Sequence, residues 1–125
     1  MARATTKVLE KLQAYARSLP EVTERLSHGA PTFFVRDKKS FLMTFPDGHH
    51  DAHFPQAWCA CEPILREHLM KDQPTVFFVP PYVGYRGWVG IRLDVASSYD
   101  ELTDVLDNAY RLIAPSSLVA KMSTS

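Results

Sequence analysis

Apolar side chains recur at steps of three and four near the start of the chain. Val8, Leu9, Leu12, Tyr15, Ala16 and Leu19 form one stripe, while Lys7, Glu10, Lys11 and Gln13 fall largely elsewhere. That periodicity predicts a helix over residues 5–18. Ser18-Leu19-Pro20-Glu21 then has the spacing of a capping box, with proline in the first turn, where its missing N–H costs nothing. A second, short helix is expected from Ser18, ending by His28-Gly29, with Pro31 preventing its resumption.

The period then changes to two. Phe33, Val35, Phe41, Met43 and Phe45 alternate across the polar break Asp37-Lys38-Lys39-Ser40, which predicts a β-hairpin with a basic tip. Pro46-Asp47-Gly48 stops the second strand, and a polar loop with His49, His50, Asp51 and His53 follows. Ala57-Trp58-Cys59-Ala60-Cys61 reads as a third strand. Pro63 opens a helix that Asp72-Gln73-Pro74 closes. Val76-Phe77-Phe78-Val79 is a short apolar strand, which Pro80-Pro81 must end because proline has no N–H for the ladder. Gly84 and Gly87 permit a tight turn before a last strand in which Val89, Ile91 and Leu93 alternate with Trp88, Gly90 and Arg92. Ser98-Tyr99-Asp100-Glu101 starts the closing helix, whose stripe is Tyr99, Leu102, Val105, Leu106, Ala109, Tyr110 and Ile113.

The expected order is ααβββαββα. Helices gather at the ends of the chain and strands in its middle, which predicts an α+β fold: one domain over 1–120, a largely antiparallel sheet packed against the N- and C-terminal helices, and a flexible tail at 121–125.

Composition narrows the function. Fourteen basic and fourteen acidic residues cancel. A dedicated non-specific nucleic-acid coat protein is excluded by that balance, although a local basic patch is not. No apolar run approaches a membrane span, and no apolar stretch follows the N-terminal charges as a secretory signal requires. Cys59 and Cys61 lie too close for an easy intrachain bridge, so they are expected as reduced thiols in a cytoplasmic protein.

No phosphate-binding glycine loop, H-E-x-x-H or G-x-S-x-G is present, and nothing nominates a nucleophile with its base. An acid–base enzyme using His28 or His50 is the least favoured expectation. The His49-His50-Asp51-x-His53 cluster has ligand chemistry but matches no defined zinc spacing, and no metal or other cofactor is assigned. Arg36, Lys38 and Lys39 at the hairpin tip, with Arg86 in a second loop, could contact phosphates while Tyr85 stacks on a base or sugar. Soluble turn residues are the plain alternative. Tyr82, Tyr85 and Trp88 crowd a loop shaped by two prolines and two glycines. Such loops suit ligand sites, or else the rings only plug a sheet edge.

At this loop a family resemblance becomes specific. The segment from Phe77 through Pro80-Pro81-Tyr82-Val83-Gly84-Tyr85-Arg86-Gly87-Trp88 to Asp94 resembles the signature of the MmcQ/YjbR family. Asp100-Glu101-Leu102 and Ala109-Tyr110-Arg111-Leu112-Ile113-Ala114-Pro115 resemble its closing helix. His28-Gly29-Ala30-Pro31-Thr32-Phe33, His49-His50 and Trp58-Cys59 resemble one subgroup, so the likeness spans about residues 8 to 120. The resemblance implies a CyaY-like, double-wing fold and a DNA-binding role. The wings would be the Arg36–Phe41 tip and the Pro80–Trp88 loop. Two departures stand out. Trp58-Cys59-Ala60-Cys61 holds no cation where many relatives carry a lysine. The first helix has only Glu10 before Ser18, not the acidic iron-binding ridge of frataxin-like relatives.

The leading expectation is therefore a non-enzymatic protein that binds DNA through Arg36, Lys38, Lys39, Tyr85 and Arg86. The rival is a pocket for a planar small molecule lined by the residues that carry the family resemblance, His28, His49, His50, Trp58, Tyr82 and Trp88. These are uncharged, aromatic or titratable groups, better suited to holding a ring than to neutralising a backbone.

Overall fold

The computed structural model describes residues 2–49, 52–95 and 99–122, with side chains from Lys7 onward. The first helix, α1, spans Ala2–Ser18, and its stripe buries Leu9, Leu12 and Ala16. Four strands follow: β1 (Val22–Ser27), β2 (Ala30–Val35), β3 (Lys39–Phe45) and β4 (Gln56–Cys59). Next come α2 (Pro63–Asp72), the two-residue β5 (Phe77–Phe78), a 3-10 turn at Gly84–Arg86 and β6 (Val89–Arg92). The helices α3 (Tyr99–Ile113) and α4 (Ser116–Val119) close the chain. The six strands form one antiparallel sheet in the order β1-β2-β3-β4-β6-β5. The α+β class and the antiparallel sheet are as expected.

Two elements differ. The short α4 after Pro115 was not expected. The residues expected as a second helix form β1, an edge strand. The capping-box spacing misleads because Ser18 ends α1 instead, its hydroxyl donating to the Tyr15 carbonyl at 2.6 Å. The chain then turns through Glu21, at φ 54°, and Val22 to Ser27 pair residue by residue with β2. As an edge strand β1 is paired along one edge only, and neither of its faces is buried, so it is largely exposed and shows no clean alternation. Tertiary pairing overrides the local helical signal.

Register assigns the two faces of the sheet. Leu42, Cys59 and Val89 lie side by side across β3, β4 and β6 and are fully buried. Their face carries the helices: Gln13 of α1 donates to the hydroxyl of Thr44 at 3.0 Å, and Phe41 meets Tyr110 of α3 edge-on with ring centres 5.6 Å apart. A β-bulge between β2 and β3 shifts the register there. The Tyr110 hydroxyl also donates to the Pro20 carbonyl at 2.7 Å, tying α3 to the turn before β1. Met122 is buried; residues 123–125 of the expected tail lie outside the described residues.

The neighbouring row, Met43, Trp58 and Gly90, points to the opposite face. Loops rather than helices cover it. Gly90 leaves room for Phe78, whose ring would stand 2.4 Å from any Cβ built there. Among the described residues no helix is long and apolar enough to cross a membrane.

Candidate functional site

A cavity of about 870 Å³ opens on the helix-free face. Its floor is sheet: Ser40, Met43 and Trp58. Three turns make its walls, each from a different part of the chain: His28-Gly29, Pro46 to His49, and Tyr82 to Arg86. The volume suits a small organic ligand.

The first wall is the two-residue β1–β2 turn. His28 and Gly29 both have positive φ, 52° and 80°, as the tight primed hairpin turns require. The His28 ring is exposed at the rim.

The second wall is held from below. Gly48 has φ 90°, and a Cβ there would stand 2.3 Å from the Ala52 carbonyl oxygen, so only glycine fits. His49 and Ala52 exchange backbone hydrogen bonds, both 2.9 Å. The Gln56 amide donates to the carbonyls of Ala52 at 3.2 Å and Phe54 at 3.3 Å, and its oxygen accepts the Trp58 indole N–H at 2.8 Å. The indole nitrogen is thus satisfied within the protein, and Trp58 has only its ring to offer.

The result is an aromatic cluster. The His49 ring centre lies 4.7 Å from Trp58, 5.2 Å from Phe45 and 5.8 Å from Tyr82. Phe45 and Trp58 are 4.3 Å apart. Tilted and edge-on geometries of this kind suit the ring quadrupoles.

The third wall is strained. Tyr82 sits at φ 65°, a left-handed conformation that bulky residues rarely adopt, and Val83 N–H donates across it to the Pro81 carbonyl at 2.6 Å. That is a γ-turn of the strained kind, costing on the order of 1–3 kcal/mol. It presents a tyrosine that is 70% exposed at the mouth of the cavity. The turn after it is firmly held. Arg66 of α2 donates to the carbonyls of Gly84 at 2.9 Å and Trp88 at 3.0 Å. Gly87 turns at φ 88°, its N–H bonded to the Gly84 carbonyl.

Of the pocket residues expected from sequence, His28, His49, Trp58 and Tyr82 all line this one cavity. Trp88 does not: it is buried beneath the loop, with the Arg86 guanidinium 5.2 Å above its ring. His50 lies outside the described residues. Phe45, Met43, Gln56 and Arg66 were not expected. They look like ordinary strand and helix positions, and their roles follow only from register and from the packing of α2.

The basic residues are divided. Arg36, Lys38 and Lys39 surround a groove of about 340 Å³ that also touches Ile113 and Pro115 at the end of α3, on the helix-bearing side. Arg86 lines the cavity on the other face. Carboxylates crowd the hairpin tip. Arg36 pairs with Glu21 through two bonds of 3.0 and 3.3 Å, which holds the Glu21 carboxyl below its ordinary range. Asp37 pairs with Arg25, which also stacks on Phe34 at 3.7 Å. Tyr85 is 88% exposed and free of the cavity.

Comparison with known proteins agrees with the fold. The YjbR family model matches residues 17–112. The structure is similar to the crystal structure of Deinococcus radiodurans protein DR2400, which carries a DUF419 domain. The TM-score is 0.73 at 16% identity, covering 90% of this chain and 86% of that one. No curated protein matches the chain.

Proposed function

The chain belongs to the YjbR family, and from the geometry of its helix-free face we propose that it is a non-enzymatic protein that binds a planar aromatic small molecule. One observation carries this reading: His28, His49, Trp58 and Tyr82, from four separate segments, converge on a single cavity of ligand size. The wall is built of rings in mutual contact, and the strained Tyr82 turn stands at the entrance. Strain of that kind persists only where surrounding structure enforces it, and it gathers at binding sites.

Titration with a panel of two- and three-ring planar aromatics tests the reading. In protein labelled with 5-fluorotryptophan, the ¹⁹F resonance of Trp58 should move more than that of the buried Trp88. If no member of the panel moves either resonance or raises the melting temperature, the proposal fails.

A second reading, DNA binding through the hairpin tip, draws support from Lys38 and Lys39. Both are exposed, and among the described residues neither has a carboxylate partner. It is the weaker reading because Arg36 already holds Glu21, and Arg86 faces the cavity on the opposite side of the sheet. With zero net charge there is no long-range attraction to compensate. Phosphate contacts would give an affinity that falls with salt at a slope of roughly −0.9 per phosphate neutralised.

A further inference from the structure

We propose that Arg86 is the anion-recognition residue of the cavity, so that its ligand is an aromatic carboxylate: a planar ring system carrying one carboxylate. This rests on the pocket reading and adds the charge of the ligand to it.

Four observations support the assignment. Arg86 lines the cavity and is exposed to it. Among the described residues the ion pairs engage Arg17, Arg25, Arg36 and Arg92, each with its own carboxylate, and none engages Arg86. The guanidinium lies over the Trp88 ring at 5.2 Å, which orients its plane without using its hydrogen-bond donors. The backbone beneath it is fixed: Arg86 N–H donates to the Val83 carbonyl at 3.0 Å, and Arg66 clamps the residues on either side. A cation held in place and left unpaired binds an anion with little ordering cost.

The other charged or titratable lining groups are Asp47, His28, His49 and Tyr82. Asp47 belongs to a different wall and forms no ion pair with Arg86. One planar guanidinium matches a carboxylate in a two-pronged geometry. A phosphate would ask for more cations than this cavity provides.

Calorimetric titration with 2-naphthoate and its neutral isostere 2-naphthamide, at neutral pH, tests the inference. Wild-type protein should bind the acid at least tenfold more tightly than the amide. Arg86→Gln should abolish that preference, weakening the acid at least tenfold more than the amide. Arg86→Lys, which keeps the charge but not the fork, should retain only about a threefold preference. Equal binding of acid and amide by the wild type overturns the role of Arg86 and leaves the pocket standing. Persistence of the preference in Arg86→Gln overturns it in the same way. Failure of both probes to bind the wild type overturns this inference together with the pocket for ligands of this size.

Discussion

The guanidinium of Arg66 reaches the backbone carbonyl of Trp88 at 3.0 Å, and the same nitrogen reaches that of Gly84 at 2.9 Å. A helix outside the sheet thereby fixes both ends of the turn that carries Tyr85 and Arg86. Replacing Arg66 by methionine keeps the aliphatic packing but removes the charged donor from the Trp88 carbonyl and one of the two donors from the Gly84 carbonyl, which keeps the Gly87 N–H. Hydrogen bonds from charged donors are worth more than neutral ones, so the expected loss is about 1–3 kcal/mol. Thermal unfolding should show a melting temperature lower by several degrees. Amide exchange should quicken at 84–88 while the β3–β4 ladder stays protected.

The Tyr82 turn separates stability from binding. Tyr82→Gly removes the penalty of a bulky side chain at φ 65° and introduces glycine's entropic cost of about 0.5–1 kcal/mol. The melting temperature should therefore hold or rise. Affinity for a planar aromatic should fall about tenfold, because the ring at the mouth is gone. A variant that melts lower and binds unchanged would reverse both halves of the argument.

The pair between Arg36 and Glu21 is an exposed one, so its removal should scarcely alter the melting temperature. Its electrostatic effect is different. Glu21→Ala frees the Arg36 guanidinium, and any binding of duplex DNA through the hairpin tip should tighten. The salt dependence should steepen by roughly 0.9 in slope, one additional phosphate contact. An unchanged slope, measured by anisotropy between 50 and 200 mM salt, would count against any DNA contact by this tip.

The two thiols predict an alkaline limit. Burial pushes the Cys61 thiol up to about 11 and raises that of Cys59 as well. In the unfolded chain both ionise near 8.5. Below that value the folded and unfolded states hold the same thiol protons. Above it the unfolded state loses protons that the folded state keeps, so stability falls as pH rises from about 8.5 towards 11. The slope is at most about 1.4 kcal/mol per pH unit for each thiol, and Cys61→Ala should remove one share of it. Denaturant titrations at pH 8 and pH 10 measure the difference. At pH 8 the folded protein should react with Ellman's reagent only slowly, and rapidly once denatured.

Local pattern alone identified α1, α3, the strands centred on Phe33, Phe41, Trp58 and Val89, and the α+β class, because helical and strand periodicities are properties of neighbouring residues. The family resemblance, not periodicity, gathered His28, His49, Trp58 and Tyr82 as chemistry worth placing. Local pattern could not find β1: Val22 to Ser27 carries little period of its own, and its strand identity comes from pairing with β2. Nor could it separate Trp58 from Trp88, one at the cavity and one beneath the loop, since both alternate with apolar neighbours. The division of the cations was equally invisible. Arg36 meets Glu21 across fifteen positions of sequence, and Arg86 is set on the opposite face by a loop that Arg66 holds. Side-chain type and spacing are written along the chain, whereas charge pairing, burial and the convergence of walls are set by distances in space, and those exist only once the sheet has assembled.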